Sequence, residues 1–157
     1  MLITHNKLLL EVYDNDIKND TFLIPEDVKD IGYNCFENCL NLKKIIIPYT
    51  IENIYNFAFF NCKNLKSVEF SGSNTTIFES TFYNCEKLEN VRLPYRLKKL
   101  PSDLFYNCKN LRSIYIPRTV KELNVNSFTN CVNLKEIIWN DNIYFYDDLL
   151  EYERITN

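Results

Sequence analysis

The residues best suited to chemistry in this chain are six cysteines and a single histidine. A thiolate attacks carbonyl carbon and holds soft metals, and a neighbouring histidine is the usual base that activates it. Five of the cysteines, Cys39, Cys62, Cys85, Cys108 and Cys131, recur every 23 residues. Metal sites built on cysteine use pairs only a few residues apart, so a regular step of 23 reads instead as a column of small buried hydrophobes with a weak donor. Cys35 stands four residues before Cys39. Three readings are open for it: a link to Cys39, a reactive thiol, or a filler of the small-residue slot held elsewhere by Ala58, Thr81 and Ser127. His5 lies near the N-terminus and would have to face a nucleophile to form a Ser–His or Cys–His pair. The carboxylates are scattered over different repeat positions, with no pair suited to shared acid–base work. Only two glycines are present, which excludes a glycine-rich phosphate loop. The expectation is a protein with no catalytic residue, no bound metal and no cofactor.

What positions these residues is a repeat. Phenylalanine recurs at Phe36, Phe59, Phe82, Phe105 and Phe128, and leucine at Leu42, Leu65, Leu88, Leu111 and Leu134. A β-branched residue follows at Ile45, Val68, Val91, Ile114 and Ile137, and proline at Pro25, Pro48, Pro94 and Pro117. The third copy replaces proline with Ser71. A second apolar pair comes after the proline, as in Val28/Ile31, Ile51/Ile54, Leu97/Leu100 and Val120/Leu123. The unit is F-x-N-C-x-x-L-x-x-I-x-[apolar]-P-x-x-[apolar]-x-x-[apolar]. Its length falls in the leucine-rich-repeat range. The alternation in L-x-x-I-x-I is that of a strand with one buried face. Such a repeat cannot bury its apolar face alone, so copies stack. The spacing therefore predicts an α/β-type leucine-rich-repeat solenoid, with a parallel strand ladder on one face and short helical or 3₁₀ turns on the other. Six rungs, counting a strand at Phe22 to Pro25, would span roughly 25 Å.

These columns resemble the BspA-type leucine-rich repeats. The resemblance is carried by I-P-x-x-V-x-x-I-G at Ile24 to Gly32 and by the recurrent F-x-N-C-x-x-L-x-x-I, and it covers residues 22–139. The family's usual glycine stands only at Gly32, and Tyr55, Phe78, Pro101 and Asn124 occupy the matching later positions. What the resemblance implies is a surface or secreted repeat protein, in some members an adhesin.

The ends do not fit the unit. Residues 1–21 read as an N-terminal cap, a strand or hairpin over the first rung. Residues 140–157 read as a C-terminal cap with a short helix or, alternatively, a partner-docking tail. No signal peptide is read in the opening residues, which favours an intracellular protein or a mature form. No stretch approaches the roughly 20 apolar residues that insert into a bilayer. A net charge of -3 argues against a dedicated nucleic-acid binder. Asn38, Asn61, Asn84, Asn107 and Asn130 form a further column, expected to be a stacked amide ladder that satisfies backbone groups in the turns. A looser one runs Asn41, Asn64, Lys87, Asn110 and Asn133.

The candidate site is the outward strand column, Leu23, Ile46, Glu69, Arg92, Tyr115 and Ile138. Buried columns keep one residue type, whereas this one changes from copy to copy. Variation on a fixed frame is what a protein-recognition surface presents; free drift of outward positions is the competing reading. Arg92, Arg96, Lys98, Lys99, Arg112 and Arg118 also make the fourth and fifth copies locally basic. Sequence thus points to a protein-interaction or adhesion module, with a structural, self-associating repeat protein as the alternative.

Overall fold

The computed structural model describes the backbone of residues 1–156 and the side chains of residues 1–151. In chain order the strands are β1 (Leu2–Ile3), β2 (Leu8–Glu11), β3 (Thr21–Phe22), β4 (Asp30–Ile31), β5 (Lys44–Ile47), β6 (Asn53–Ile54), β7 (Ser67–Phe70), β8 (Thr76–Ile77), β9 (Asn90–Arg92), β10 (Ser113–Ile116), β11 (Glu136–Trp139) and β12 (Asn142–Phe145). Helix α1 (Tyr146–Thr156) follows.

Each copy winds through three sides. The first is the expected parallel ladder, β3-β5-β7-β9, with Lys44 beside Ser67 beside Asn90. Ile45, Ile47, Val68 and Phe70 point into the core, and the residues between them point out. The second side is another parallel ladder, β2-β4-β6-β8, built on the second apolar pair. Sequence reading assigns these residues to the core without assigning them a strand.

The third side is a corner of hydrogen-bonded turns. The one helical segment there among the described residues is the 3₁₀ turn Val125–Phe128. In the other copies plain turns replace the expected helical ones. The corner is nevertheless a backbone ladder in its own right. Phe36, Phe59, Phe82 and Phe105 donate their N–H groups to the carbonyls of Ala58, Thr81, Leu104 and Ser127 at 2.7–3.0 Å. Asn38, Asn61, Asn84 and Asn107 do the same to Phe60, Tyr83, Tyr106 and Thr129. Beneath it the phenylalanine rings stack nearly parallel. The stack is closed edge-on at both ends, by Phe22 at 5.3 Å and 79° and by Tyr146 at 6.1 Å and 79°.

The asparagine column forms an amide ladder, as expected, and has a backbone cause that was not. Asn38, Asn61, Asn84, Asn107 and Asn130 all sit at φ of 58–61°, the left-handed region that asparagine tolerates better than other side chains. Their amides bond to one another, Asn61 to Asn38, Asn107 to Asn84 and Asn130 to Asn107, rather than to backbone. Backbone carbonyls are instead satisfied by the looser column: Asn64 donates to Leu40 and Asn133 to Lys109.

Both strand ladders stop at the fourth copy while the turn corner runs on. On the second side, the N–H groups of Gly32, Tyr55 and Phe78 donate to the carbonyls of Leu9, Ile31 and Ile54. The next residue in that column is Pro101, which has no N–H to give, and the ladder ends at β8. On the first side β9 pairs with β7 but not with β10. The fourth copy also carries leucine at 93, 97, 100 and 104, where the other copies hold mainly β-branched or small residues, and leucine is the weaker strand former. Leu104 is fully buried in the slot that Ala58, Thr81 and Ser127 fill elsewhere. Ring spacing in the phenylalanine stack widens along the chain, from 4.7 and 5.2 Å to 5.7 and 5.8 Å.

Terminal segments shield the end rungs. β1 and β2 form an antiparallel hairpin, and β2 then heads the second ladder. At the other end β12 folds back antiparallel on β11, with Ile143 beside Ile138. Tyr146 is buried and its hydroxyl donates to the Phe128 carbonyl at 2.9 Å, while Leu149 and Leu150 pack against the core. The tail side chains of Tyr152 and Glu153, together with Asn157, lie outside the described residues.

Candidate recognition face

The cysteines can be placed before the face itself, because they are its foundation. All six are free and buried. Each column thiol donates to a backbone carbonyl of the preceding copy: Cys62 to Phe36 at 2.9 Å, Cys85 to Phe59 at 3.2 Å, Cys108 to Phe82 at 3.3 Å and Cys131 to Phe105 at 3.0 Å. Cys39 reaches Val12 at 3.3 Å. Burial pushes the Cys62, Cys85 and Cys108 thiols well up, and those of Cys39 and Cys131 up to about 12. Cys35 is buried in the small-residue slot with its thiol also raised, first by burial and then by Cys39. Cys35 and Cys39 are unbridged, and a protonated, buried thiol is a poor nucleophile, so the geometry favours the slot-filling reading of Cys35. His5 is exposed beyond the β1 strand. Among the described residues no group of three His, Cys, Asp or Glu side chains is placed to hold a metal ion.

On the first ladder the candidate column is aligned by register: Ile46 beside Glu69 beside Arg92, and Tyr115 beside Ile138. Ile46 is 46% and Tyr115 52% exposed, large apolar groups that the strand pleat holds outward. Arg92 bonds to Glu69 across one rung at 3.3 Å, an exposed pair of little energetic weight. Two positions differ from expectation. β3 ends at Phe22, so Leu23, 87% exposed, lies past the strand rather than on it. Ile138 is half-buried, because β12 lies beside it. Between β9 and β10 the column is split by a cleft of about 280 Å³ lined by Val91, Arg92, Ile114, Tyr115 and Ile138. Val91, inward by pattern, is only half-buried there. That cleft follows from the broken pairing and had no marker in the repeat spacing.

The basic group of the fourth and fifth copies is divided. Arg92 is held by Glu69 and Arg118 by Asp141, whose carboxylate raises the guanidinium pKa. Arg96, Lys98 and Lys99 line a separate groove beside β8, with no acidic partner among the described residues.

This is a leucine-rich-repeat β-solenoid of about six turns, with parallel strand ladders and few helices. The chain belongs to the BspA type leucine rich repeat region family, which matches residues 11–153 in six copies, one more than the F-x-N-C columns count. Among solved structures it is similar to a leucine rich cell surface protein of Faecalibacterium prausnitzii, at 30% identity and a TM-score of 0.73, covering 80% of this chain and 33% of that one. The pneumococcal vaccine antigen PcpA matches at 22% identity and a TM-score of 0.77, over 87% of this chain and 34% of that one. A leucine rich repeat protein of T. pallidum matches at 24% identity and a TM-score of 0.69, over 74% and 57%. The last two likenesses show the fold alone. The chain thus spans between a third and somewhat over half of these proteins. No curated protein matches it. No helix among the described residues is long and apolar enough to cross a membrane.

Proposed function

We propose that this chain is a protein-binding module that uses the outward column of the first ladder, Ile46, Glu69, Arg92, Tyr115 and Ile138, flanked by Leu23. The observation that carries the reading is the exposure of Ile46 and Tyr115 on the outward face of two neighbouring ladders, β3-β5-β7-β9 and β10-β11. A preformed face loses little conformational freedom on binding, and an exposed tyrosine is a favoured anchor. The cell-surface description of the Faecalibacterium protein supports a display role in which the partner belongs to another cell or to the surrounding matrix. Residues 1–21 and 140–157 act as caps on a solenoid of residues 22–139. The module performs no catalysis, does not insert into a membrane, and takes a protein rather than a nucleic acid as its ligand.

The test is capture of partners from host and source-cell lysates by the wild-type chain and by a variant with Ile46, Arg92, Tyr115 and Ile138 changed to Ala. Loss of a specific partner from a variant that melts normally supports the face. Equal capture by both rejects it. A second reading, self-association, is favoured by one observation: β12 is an edge strand whose Ile143 and Phe145 are exposed at 58% and 56%. Sedimentation that depends on concentration, and is relieved by Ile143→Lys, supports that reading.

A further inference from the structure

The groove beside β8 combines two unmet demands. The first is an open ladder edge. Residue 101 should supply the N–H that the Ile77 carbonyl accepts, as Phe78 does for Ile54, and it is a proline. Among the described residues no backbone N–H of residues 98–101 donates into residues 74–77. The space left between the third and fourth copies is about 630 Å³. Its floor is apolar, formed by the buried Ile77 and Leu97. The second demand is charge. Arg96, Lys98 and Lys99 stand exposed on the far wall without an acidic partner among the described residues, although the chain as a whole is net negative.

Open strand carbonyls call for a row of N–H donors, and the three cations call for carboxylates. An extended peptide with acidic side chains at alternate positions supplies both, since successive side chains of a strand point to opposite sides. A nucleic-acid backbone supplies the charge but no row of N–H donors, and its phosphate oxygens would oppose the carbonyls. We propose that the β8 groove binds an acidic, extended peptide segment by strand addition, at a site separate from the recognition face on the first ladder. The fourth copy's departures from the repeat, Pro101 and the Arg96-Leu97-Lys98-Lys99 run, are then what opens the site and what selects its ligand.

The probe is a fluorescein-labelled decapeptide of alternating Glu and Val, followed by fluorescence anisotropy with the full chain. Binding is expected to weaken as salt is added. The triple variant R96E/K98E/K99E, checked for an unchanged melting curve, is expected to lose at least about tenfold in affinity. The same peptide N-methylated at alternate residues keeps its charge but loses its donors, and is expected to bind at least about tenfold more weakly. Equal binding of the methylated peptide overturns strand addition. Tighter binding of a ten-residue oligothymidylate, or an unchanged affinity in the triple variant, overturns the assignment of ligand class. Tyr115→Ala is expected to leave peptide binding intact. Its loss in that variant would move the peptide to the first ladder and overturn the β8 site, whereas failure of the lysate capture described above leaves the β8 site unaffected.

Discussion

The turn corner and the two strand faces belong to the same 23-residue unit, yet they treat the fourth copy differently. In the corner the same bonds recur across the fourth copy: phenylalanine N–H to the next turn from Phe36 to Phe105, thiol to the previous phenylalanine carbonyl from Cys62 to Cys131, and asparagine amide to asparagine amide at Asn61–Asn38, Asn107–Asn84 and Asn130–Asn107. On the strand faces the pairing lapses between β9 and β10 and again after β8. The difference teaches where the cohesion of this solenoid resides. A corner with buried rings, thiols and left-handed turns leaves no room for variation, because each group has a partner of fixed shape on both sides. A strand face needs only backbone to propagate, so its side chains can change freely and its pairing can be interrupted without loss of the stack. Binding surfaces belong on the side that tolerates change.

The largest expected effect tests the buried thiols. Their pKa values are raised in the folded state, so the thiols stay neutral there and ionise on unfolding once pH exceeds the free value near 8.5. Their contribution is therefore complete below about pH 8.5 and is lost as pH rises toward the folded values, about 12 for Cys39 and Cys131. For Cys62, Cys85 and Cys108, whose thiols burial pushes well up, the loss together approaches at most about 4 kcal/mol per pH unit, and only well above pH 8.5. Urea titrations at pH 8 and pH 10 should show this fall, and a variant with those three changed to Ala should show a shallower one. Equal slopes would contradict the burial.

Next is the contrast between core and face. Phe82→Ala removes the middle ring of the stack and should cost about 3–5 kcal/mol in denaturant unfolding. Tyr115→Ala on the strand face should stay within about 0.5 kcal/mol of the parent. Similar costs for the two would erase the distinction between corner and face. Asn84→Ala should lose roughly 1–2 kcal/mol for the left-handed backbone, and Asn84→Gly should recover most of it. If the glycine variant is as unstable as the alanine one, the amide bond to Asn107 matters more than the backbone. Smallest is Phe57. It sits at φ 59° in a column whose other left-handed members are Asn34, Ser80 and Asp103. Phe57→Asn should gain about 1 kcal/mol by relieving strain. A lower melting temperature would mean that its ring contacts with Phe60 and Tyr83, at 5.8 and 6.1 Å, outweigh that strain.

Much of this was legible in the sequence, for a physical reason. Phe36 and its repeats, the cysteines and the leucines are chosen by the interior, and stacking at a constant step imprints that choice as a period. The first ladder and its inward positions at Ile45, Ile47, Val68 and Phe70 follow from it. The second ladder was not read, because its strands β4, β6 and β8 are two residues long and alternation needs more residues to declare itself. Asn38 and its repeats were visible as a column, but spacing does not distinguish a backbone angle from a hydrogen-bond role. Val91 and Tyr115 flank a cleft that depends on pairing between copies, which no single copy encodes. Pro101 was visible as a departure from the family's glycine. Its consequence needed the partner carbonyl at Ile77, which only the second ladder identifies.

The edge-on rings of Phe22 and Tyr146 bracket a row of like contacts, phenylalanine to phenylalanine and asparagine to asparagine. Since each interior copy presents to its successor, at the turn corner, the surface it accepts from its predecessor, a gene could gain or lose whole copies between the brackets without redesigning either one. The reach of the module is then set by duplication and deletion in units of one repeat, while point mutation is left to edit what its faces recognise.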